Sequence, residues 1–211
     1  MPIYFMVLDA GLYYNEIQRA LTTSWARRSF EPCRRLSTVL DSAARKFTEL
    51  YHTGSEEPLL LQVARGIPFD RHFWQLLAGE TLLFASKEIP EFPVCPDTLG
   101  ALLAPASPAR DGLSRQEWTP IYQAHYGSRY VQFGARAYRP EQAGLNNVED
   151  VARLAEYLSK TDAARWSVAD LSGEEDSRLE DLEDARAWFP ALRDMYLRAR
   201  DGGAVVVCEE L

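Results

Sequence analysis

Between Tyr130 and Tyr138 apolar and polar side chains alternate without a break. Val131, Phe133, Ala135 and Ala137 fall on one side of an extended chain, and Tyr130, Gln132, Gly134, Arg136 and Tyr138 on the other. A two-residue period is the signature of a half-buried β-strand, so the chain must supply partner strands and a core for this stretch to lie on. The pattern predicts Val131, Phe133, Ala135 and Ala137 inward, and Tyr130, Gln132, Arg136 and Tyr138 toward solvent or a cleft. The strand closes a longer segment, Trp118 to Arg139, in which aromatic residues and arginines are denser than anywhere else in the sequence. Such side chains are enriched at recognition surfaces. Trp118, Tyr122, His125, Tyr126, Arg129, Tyr130, Arg136, Tyr138 and Arg139 are therefore the candidate binding residues. The competing reading is an ordinary sheet strand with one wet face.

The remaining elements alternate in kind. Ile3–Leu8 reads as a buried strand and Leu12–Trp25 as a helix with Leu12, Ile17, Ala20, Leu21 and Trp25 apolar. A helix beginning near Ser29–Pro32 carries Leu36, Val39, Leu40, Ala43, Ala44, Phe47, Leu50 and Tyr51 at helical spacing up to a stop at Gly54. Leu59–Val63 is too short for periodicity to decide. Phe69–Ala85 reads as helical despite Gly79, and Pro90, Pro93 and Pro96 then force an extended path before a short helix from Asp97 to Leu103. Ser114 and Glu117 are spaced as a capping box for a helix toward His125, ended by Gly127. Asn147 is an N-cap for a helix carrying Val151, Leu154, Ala155 and Leu158. A last helix from near Leu179 carries Leu182, Ala185, Trp188, Phe189, Leu192, Met195, Tyr196 and Ala199 on its apolar face, with a kink expected at Pro190. The strand Ala204–Cys208 after it is apolar enough to be internal to its sheet. The class these elements define is α+β: one domain over residues 1–211, a mixed sheet with amphipathic helices packed on it.

Hydrophobic content of 46% with 11% aromatics belongs to a globular chain, and no apolar run is long enough for a membrane span or signal peptide. The expected location is the cytoplasm. The net charge of −8 is concentrated: Asp170 to Asp184 holds eight acidic residues against one arginine. A chain of this balance without a basic stripe is a poor binder of nucleic acid or of an anionic membrane. The strip reads either as a solvated linker and helix start, or as bait for a basic partner steered by Glu174, Glu175, Asp176, Glu180 and Asp181. Arg27, Arg28, Arg34 and Arg35 likewise read as a solvated face or as an anion site near the Ser29 helix start. His52, His72 and His125 are far apart, and Cys33, Cys95 and Cys208 are widely spaced, so neither a metal site nor a disulfide framework is expected. No phosphate-binding loop, dinucleotide glycine pattern or nucleophile elbow occurs, and no cofactor or catalytic residue is assigned.

Several stretches carry a resemblance. Tyr4-Phe-Met-Val-Leu-Asp9, then Leu40-Asp41 through Phe47-Thr-Glu-Leu-Tyr-His-Thr-Gly54 with Pro58-Leu-Leu, resemble the opening strand and central helix of the YfbM-like family of small bacterial proteins. Val151–Leu158, Trp188-Phe-Pro-Ala-Leu-Arg193 and Arg198-Ala-Arg-Asp-Gly-Gly-Ala-Val-Val-Val207 resemble its closing helices and strand. The resemblance covers the first and last thirds and leaves 66–128 as an insertion. It implies an α+β fold and transfers no reaction.

Size, acidity and an aromatic-rich surface suit a protein-binding module, of the kind by which an immunity protein occludes a toxin. The alternative is a small-molecule-binding or enzymatic domain whose pocket lies between the 130–138 strand and the 69–103 region.

Overall fold

The sheet grows from the two ends of the chain toward its middle. The computed structural model describes residues 3–51, 57–92, 96–103 and 112–210, the side chains of 47–51 and 91 excepted. Its first half holds β1 (Ile3–Asp9), a π-helical stretch Leu12–Gln18 running into α1 (Arg19–Arg27), α2 (Arg34–Val39), α3 (Asp41–Tyr51), α4 (Leu59–Val63) and α5 (Arg71–Ala85). Then come β2 (Ser86–Glu88), β3 (Glu91–Phe92), α6 (Pro96–Leu103), α7 (Pro120–Tyr126), β4 (Arg129–Tyr130), β5 (Gln132–Phe133) and β6 (Arg136–Ala137). The last elements are β7 (Ala143–Asn146), α8 (Val148–Ser159), α9 (Glu175–Asp201) and β8 (Ala204–Glu210).

β1 and β8 pair along their whole length, from Ile3 opposite Glu210 to Asp9 opposite Ala204. β7 and then β4 extend the sheet beyond β8, while β2 and β3 share the outer edge of β1, giving the order β2-β1-β8-β7-β4. The class is the expected α+β; in strand direction the described pairings are antiparallel throughout rather than mixed.

Alternate residues of the central strands feed two separate cores. Phe5, Val7, Val206 and Cys208 meet α6, α7, α8 and α9 on one face. Met6, Leu8, Val205 and Val207 meet α1, α2, α4 and α5 on the other. A strand covered on both faces has no wet side, which is why Ala204–Cys208 shows no alternation. Burying each such side chain contributes about 1.5–3 kcal/mol, so β8 anchors both layers.

Local chemistry sets the helix boundaries. Asp70 caps α5 by accepting from the N–H groups of His72 and Phe73. Leu59–Val63, undecided in sequence, is helical because the Glu80 carboxylate accepts from the N–H groups of Leu59 and Leu60, at 3.0 and 2.9 Å. The helix expected from Ser29 to Gly54 is instead divided at Leu40 (φ −103°, ψ 6°) into α2 and α3; His52 and Gly54 lie outside the described residues, as does Cys95. The capping box of Ser114 and Glu117 forms, but it closes a single 3-10 turn, Arg115–Glu117, and Pro120 begins α7 separately. Asn147 caps α8 in a reciprocal box with Asp150. α9 starts at Glu175 and continues through Pro190 as one helix, and Trp188, expected on its apolar face, is instead exposed.

The stretch 130–138 departs from its pattern. β4 pairs with β7, and the chain then leaves the sheet to form a hairpin in which Phe133 faces Arg136 and Gln132 faces Ala137 across a Gly134–Ala135 turn. Gly134 takes φ +66°, which a side chain disfavours. A two-residue turn pairs odd positions with even ones, so the inward side passes from Val131 and Phe133 to Tyr138, whose N–H donates to the Val131 carbonyl at 2.9 Å. Val131, Phe133 and Tyr138 are buried, Ala137 is half-buried and Ala135 is exposed. The expectation that Ala135 points inward and Tyr138 outward is therefore corrected.

Residues 66–128 contribute the edge strands of β1 and helices in both layers: α5 packs with Met6 and Leu8, α6 and α7 with Phe5. Between 130–138 and 69–103, the region of the alternative pocket, α5 packs directly on the hairpin. Trp74 meets Phe133 edge-on at 5.9 Å. A Cβ on Gly79 would come within 2.8 Å of the Tyr138 hydroxyl, so that glycine is what lets Tyr138 lie against α5.

Candidate recognition cleft

β4 ends beside a turn and a helix, and an open cleft of about 500 Å³ lies between them. Tyr14 and Gln18 of the π-helical stretch form one wall, Ser114, Arg115 and Gln116 another, and Ser128, Arg129, Tyr130, Gln132, Leu145 and Asn147 the floor and rim. π-Helical segments recur at functional sites because the extra residue per turn re-aims side chains. Gln18 is tied to the floor, its amide donating to the Gln132 carbonyl at 3.3 Å.

Arg115 is the unusual member. Only 7% exposed, it donates to the carbonyl oxygens of Tyr126 and Pro140, the latter at 3.0 Å, and its guanidinium lies 5.1 Å from the ring centres of both Trp118 and Tyr130. No carboxylate pairs with it among the described residues. Burial pulls its pKa down, with Tyr130 acting in the opposite direction. Tyr130 itself is 48% exposed, so one face of the Arg115–Tyr130 pair is open to a partner.

Arg129 is held from behind. Its Nε donates to Asp150 at 2.8 Å, and Asp150 also faces Arg153 at 3.5 Å. Arg153 donates to the Gln123 side chain at 2.6 Å, Ser128 donates to Asn146 Oδ1 at 2.7 Å, and Asn146 donates to the Gln123 carbonyl and to Tyr196 at 2.9 and 2.8 Å. Tyr196 in turn donates to the Ala124 carbonyl at 2.5 Å. A network satisfied at each of these members is rigid, so the cleft floor is preorganised. Tyr14 sits close enough that burial raises its phenol pKa while Arg129 lowers it.

The nine residues singled out in sequence thus divide. Arg129 and Tyr130 line the cleft, and Trp118 reaches it through Arg115. Tyr126 packs edge-on to Trp118 at 6.1 Å, one step further back. Tyr122 instead donates to Asp97 at 2.7 Å and lies against Gly100. Arg136 is at the hairpin tip, exposed. Tyr138 and Arg139 turn to Glu209, a buried carboxylate that Arg139 meets at 2.6 Å and Tyr138 at 3.1 Å. His125 is core: its Nδ1 lies 2.9 Å from the Ile121 carbonyl, and burial pushes its pKa down to about 4. Burial thus withdraws His125 from the candidate binding residues and corrects the expectation that Tyr138 faces outward. The cleft residues not singled out for binding in sequence include Tyr14, Gln18, Arg115, Gln116, Ser128, Leu145 and Asn147; the one available signal was the Ser114–Glu117 box that fixes the turn bearing Arg115.

The cleft offers hydrogen-bond donors and aromatic faces. Among the described residues its lining contains no cysteine or histidine. The described thiols are buried and protonated, Cys33 pushed up to about 11 and Cys208 to about 12. Among the described residues no group of three or more His, Cys, Asp or Glu is placed to hold a metal ion, and no helix is long and apolar enough to cross a membrane. The acidic residues Glu174, Glu175, Asp176, Glu180 and Asp181 are exposed at the start of α9, with no ion-pair partner among the described residues.

Comparisons with profiles of known families, with curated proteins and with solved structures each found no match. The likeness to the YfbM-like family therefore rests on the sequence patterns alone.

Proposed function

We propose that this protein acts by binding a protein partner, with the Arg115–Arg129–Tyr130 cleft as its point of recognition and the start of α9 steering the encounter. The role it fits is occlusion, as when an immunity protein covers a toxin. The observation that carries the reading is the preorganised cleft: a buried guanidinium without a carboxylate among the described residues, stacked under an exposed tyrosine and backed by a satisfied polar network. Rigid aromatic and arginine anchors of this kind dominate binding energy at protein interfaces. Exposed carboxylates at a distance instead govern the rate of encounter with a basic partner.

The test begins with a partner recovered from the source cells and measures association and dissociation separately. Tyr130→Ala is expected to speed dissociation by about tenfold to a hundredfold, the effect of losing one anchor. Replacing Glu174, Glu175, Asp176, Glu180 and Asp181 by their amides is expected to slow association and flatten its salt dependence, leaving dissociation and fold stability nearly unchanged. Rates indifferent to both changes would reject the reading. The cleft volume also falls within the range of small-molecule sites. That second reading predicts a saturable small ligand that competes at Tyr130 in the absence of any protein partner.

A further inference from the structure

Trp25 stands half-buried near the end of α1, packed against Trp74 and Phe69 at centroid distances of 4.9 and 6.2 Å. Three guanidinium groups from three separate elements lie close to its ring. Arg28, just past α1, lies 4.3 Å from the ring centre; Arg136, at the hairpin tip, 5.2 Å; Arg71, at the start of α5, 5.9 Å. None of the three has a carboxylate within ion-pair distance among the described residues. Some arginines elsewhere on the surface find one, as Arg35 does in Glu16 and Arg65 in Glu57, whereas Arg19 and Arg27 have none among the described residues. The nearby acids are already engaged: Asp70 caps α5, and Glu31 is held by Arg34 at 2.8 Å.

Arg28 adds an independent observation. It occupies the left-handed region, φ 50° and ψ 46°, at a helix end where glycine is the usual residue. A side chain there strains the backbone, and in this conformation its guanidinium lies over Trp25 and 5.7 Å from the Phe69 ring centre. Arg28 also lines a polar depression of about 270 Å³ with Ser29, Glu31, Arg34 and Gly66, a lining that includes neither Arg71 nor Arg136. The indole quadrupole offsets part of the repulsion among three cations but supplies no counter-charge.

We propose that this arginine cage around Trp25 binds a phosphate-class anion, the diphosphate or phosphate group of a soluble ligand. A carboxylate presents two coplanar oxygens and satisfies one arginine fork. A tetrahedral oxyanion presents oxygens on several sides, which suits forks arriving from three elements. The site is separate from the recognition cleft, whose lining includes none of the three arginines, so either proposal can fail without the other.

The experiment is calorimetric titration of the whole protein with inorganic pyrophosphate at constant ionic strength, with sodium chloride and an oligo-glutamate peptide as comparisons. Wild type is expected to bind pyrophosphate saturably, and Arg28→Gly, Arg71→Gln and Arg136→Gln are each expected to weaken binding by about tenfold or more, the loss of one charge-assisted contact. Arg28→Gly relieves the left-handed strain, so its unliganded thermal midpoint should be at or above that of wild type. Should it unfold, Arg136→Gln on the exposed hairpin decides. Absence of saturable pyrophosphate binding, binding unchanged in all three variants, or binding of the glutamate peptide in preference to pyrophosphate would each overturn the assignment.

Discussion

Replacing Gly144 with alanine tests how the floor of the cleft is held. Gly144 sits in β7 with Tyr130 opposite on one side and Cys208 on the other, so both neighbours fix its backbone. A Cβ there would overlap the carbonyl oxygen of Tyr126, come within 2.8 Å of that carbonyl's carbon and reach 2.5 Å from a guanidinium nitrogen of Arg115. The facing glycine is also confined, a Cβ on Gly127 falling 2.4 Å from the Gly144 carbonyl carbon and the Leu145 nitrogen. Side chains can rotate away from an intruding methyl group; two backbones locked by strand pairing and a helix end cannot. Overpacking typically costs 1–3 kcal/mol, and this site belongs at or above the top of that range, about 3 kcal/mol or more. For a chain of this size that lowers the melting midpoint by roughly 6–12 °C. Gly203 supplies the control, because at φ +58° with open space around it alanine meets only the left-handed penalty of about 1–2 kcal/mol. Urea unfolding of the two variants beside wild type gives the comparison. If Gly144→Ala costs no more than Gly203→Ala, the two backbones are not in contact and the preorganisation argued for Arg115 is wrong.

Three further outcomes are expected. Phe189, 1% exposed and edge-on to Trp166 at 5.0 Å, should cost about 3–5 kcal/mol when truncated to alanine, and a loss below about 1 kcal/mol in denaturant titration would mean the ring is dispensable to that core. His125 has its pKa lowered by burial from 6.5 to about 4, so between those values the unfolded chain takes up a proton that the fold refuses. Its contribution is complete above about pH 6.5 and declines as pH falls toward 4, by up to roughly 3 kcal/mol; His125→Phe should lose less stability than wild type between pH 7 and pH 4.5, and equal losses would refute this. At Glu209, Tyr138→Phe should cost about 1 kcal/mol, whereas Arg139→Met, which strands a buried carboxylate, should cost about 3–5 kcal/mol; the reverse order by thermal unfolding would show that the hydroxyl and not the ion pair secures that strand end.

What the sequence disclosed follows from which forces act locally. The run Ala204–Cys208 announced a strand buried on both faces, and the Asn147 cap and the α8 stripe were legible because capping and helical spacing are decided within a few residues. β7 was not legible: Ala-Gly-Leu-Asn has the composition of a turn, and it is a strand because β8 and β4 flank it and because only glycine fits against Tyr126. The hairpin was misread for a related reason. Gly134-Ala135 is a weak turn signal inside a perfect alternation, yet reversing there changes the parity of the inward face and exchanges Ala135 for Tyr138. Tyr13 escaped notice because the π-helical stretch shifts the phase of the opening helix, burying Tyr13 with Ile17 and Leu21 while Leu12 and Trp25 stay half-buried. Arg115 was hidden because its importance lies in two carbonyls that arrive from Tyr126 and Pro140.

An overall charge of −8 would be an objection to an anion site if it were spread evenly, but the sheet divides it. The acidic start of α9 belongs to the layer that packs on Phe5 and Val206, whereas α1, α5 and the hairpin that carry the Trp25 arginines belong to the layer on Met6 and Val205. Two helical layers with a sheet between them are on the order of 20 Å apart, more than twice the screening length of about 8 Å at physiological ionic strength. Each face therefore presents its own local charge to a ligand at contact. A basic partner meets the carboxylates of α9 and an anion meets the arginine cage, and raising salt should weaken both without exchanging their preferences.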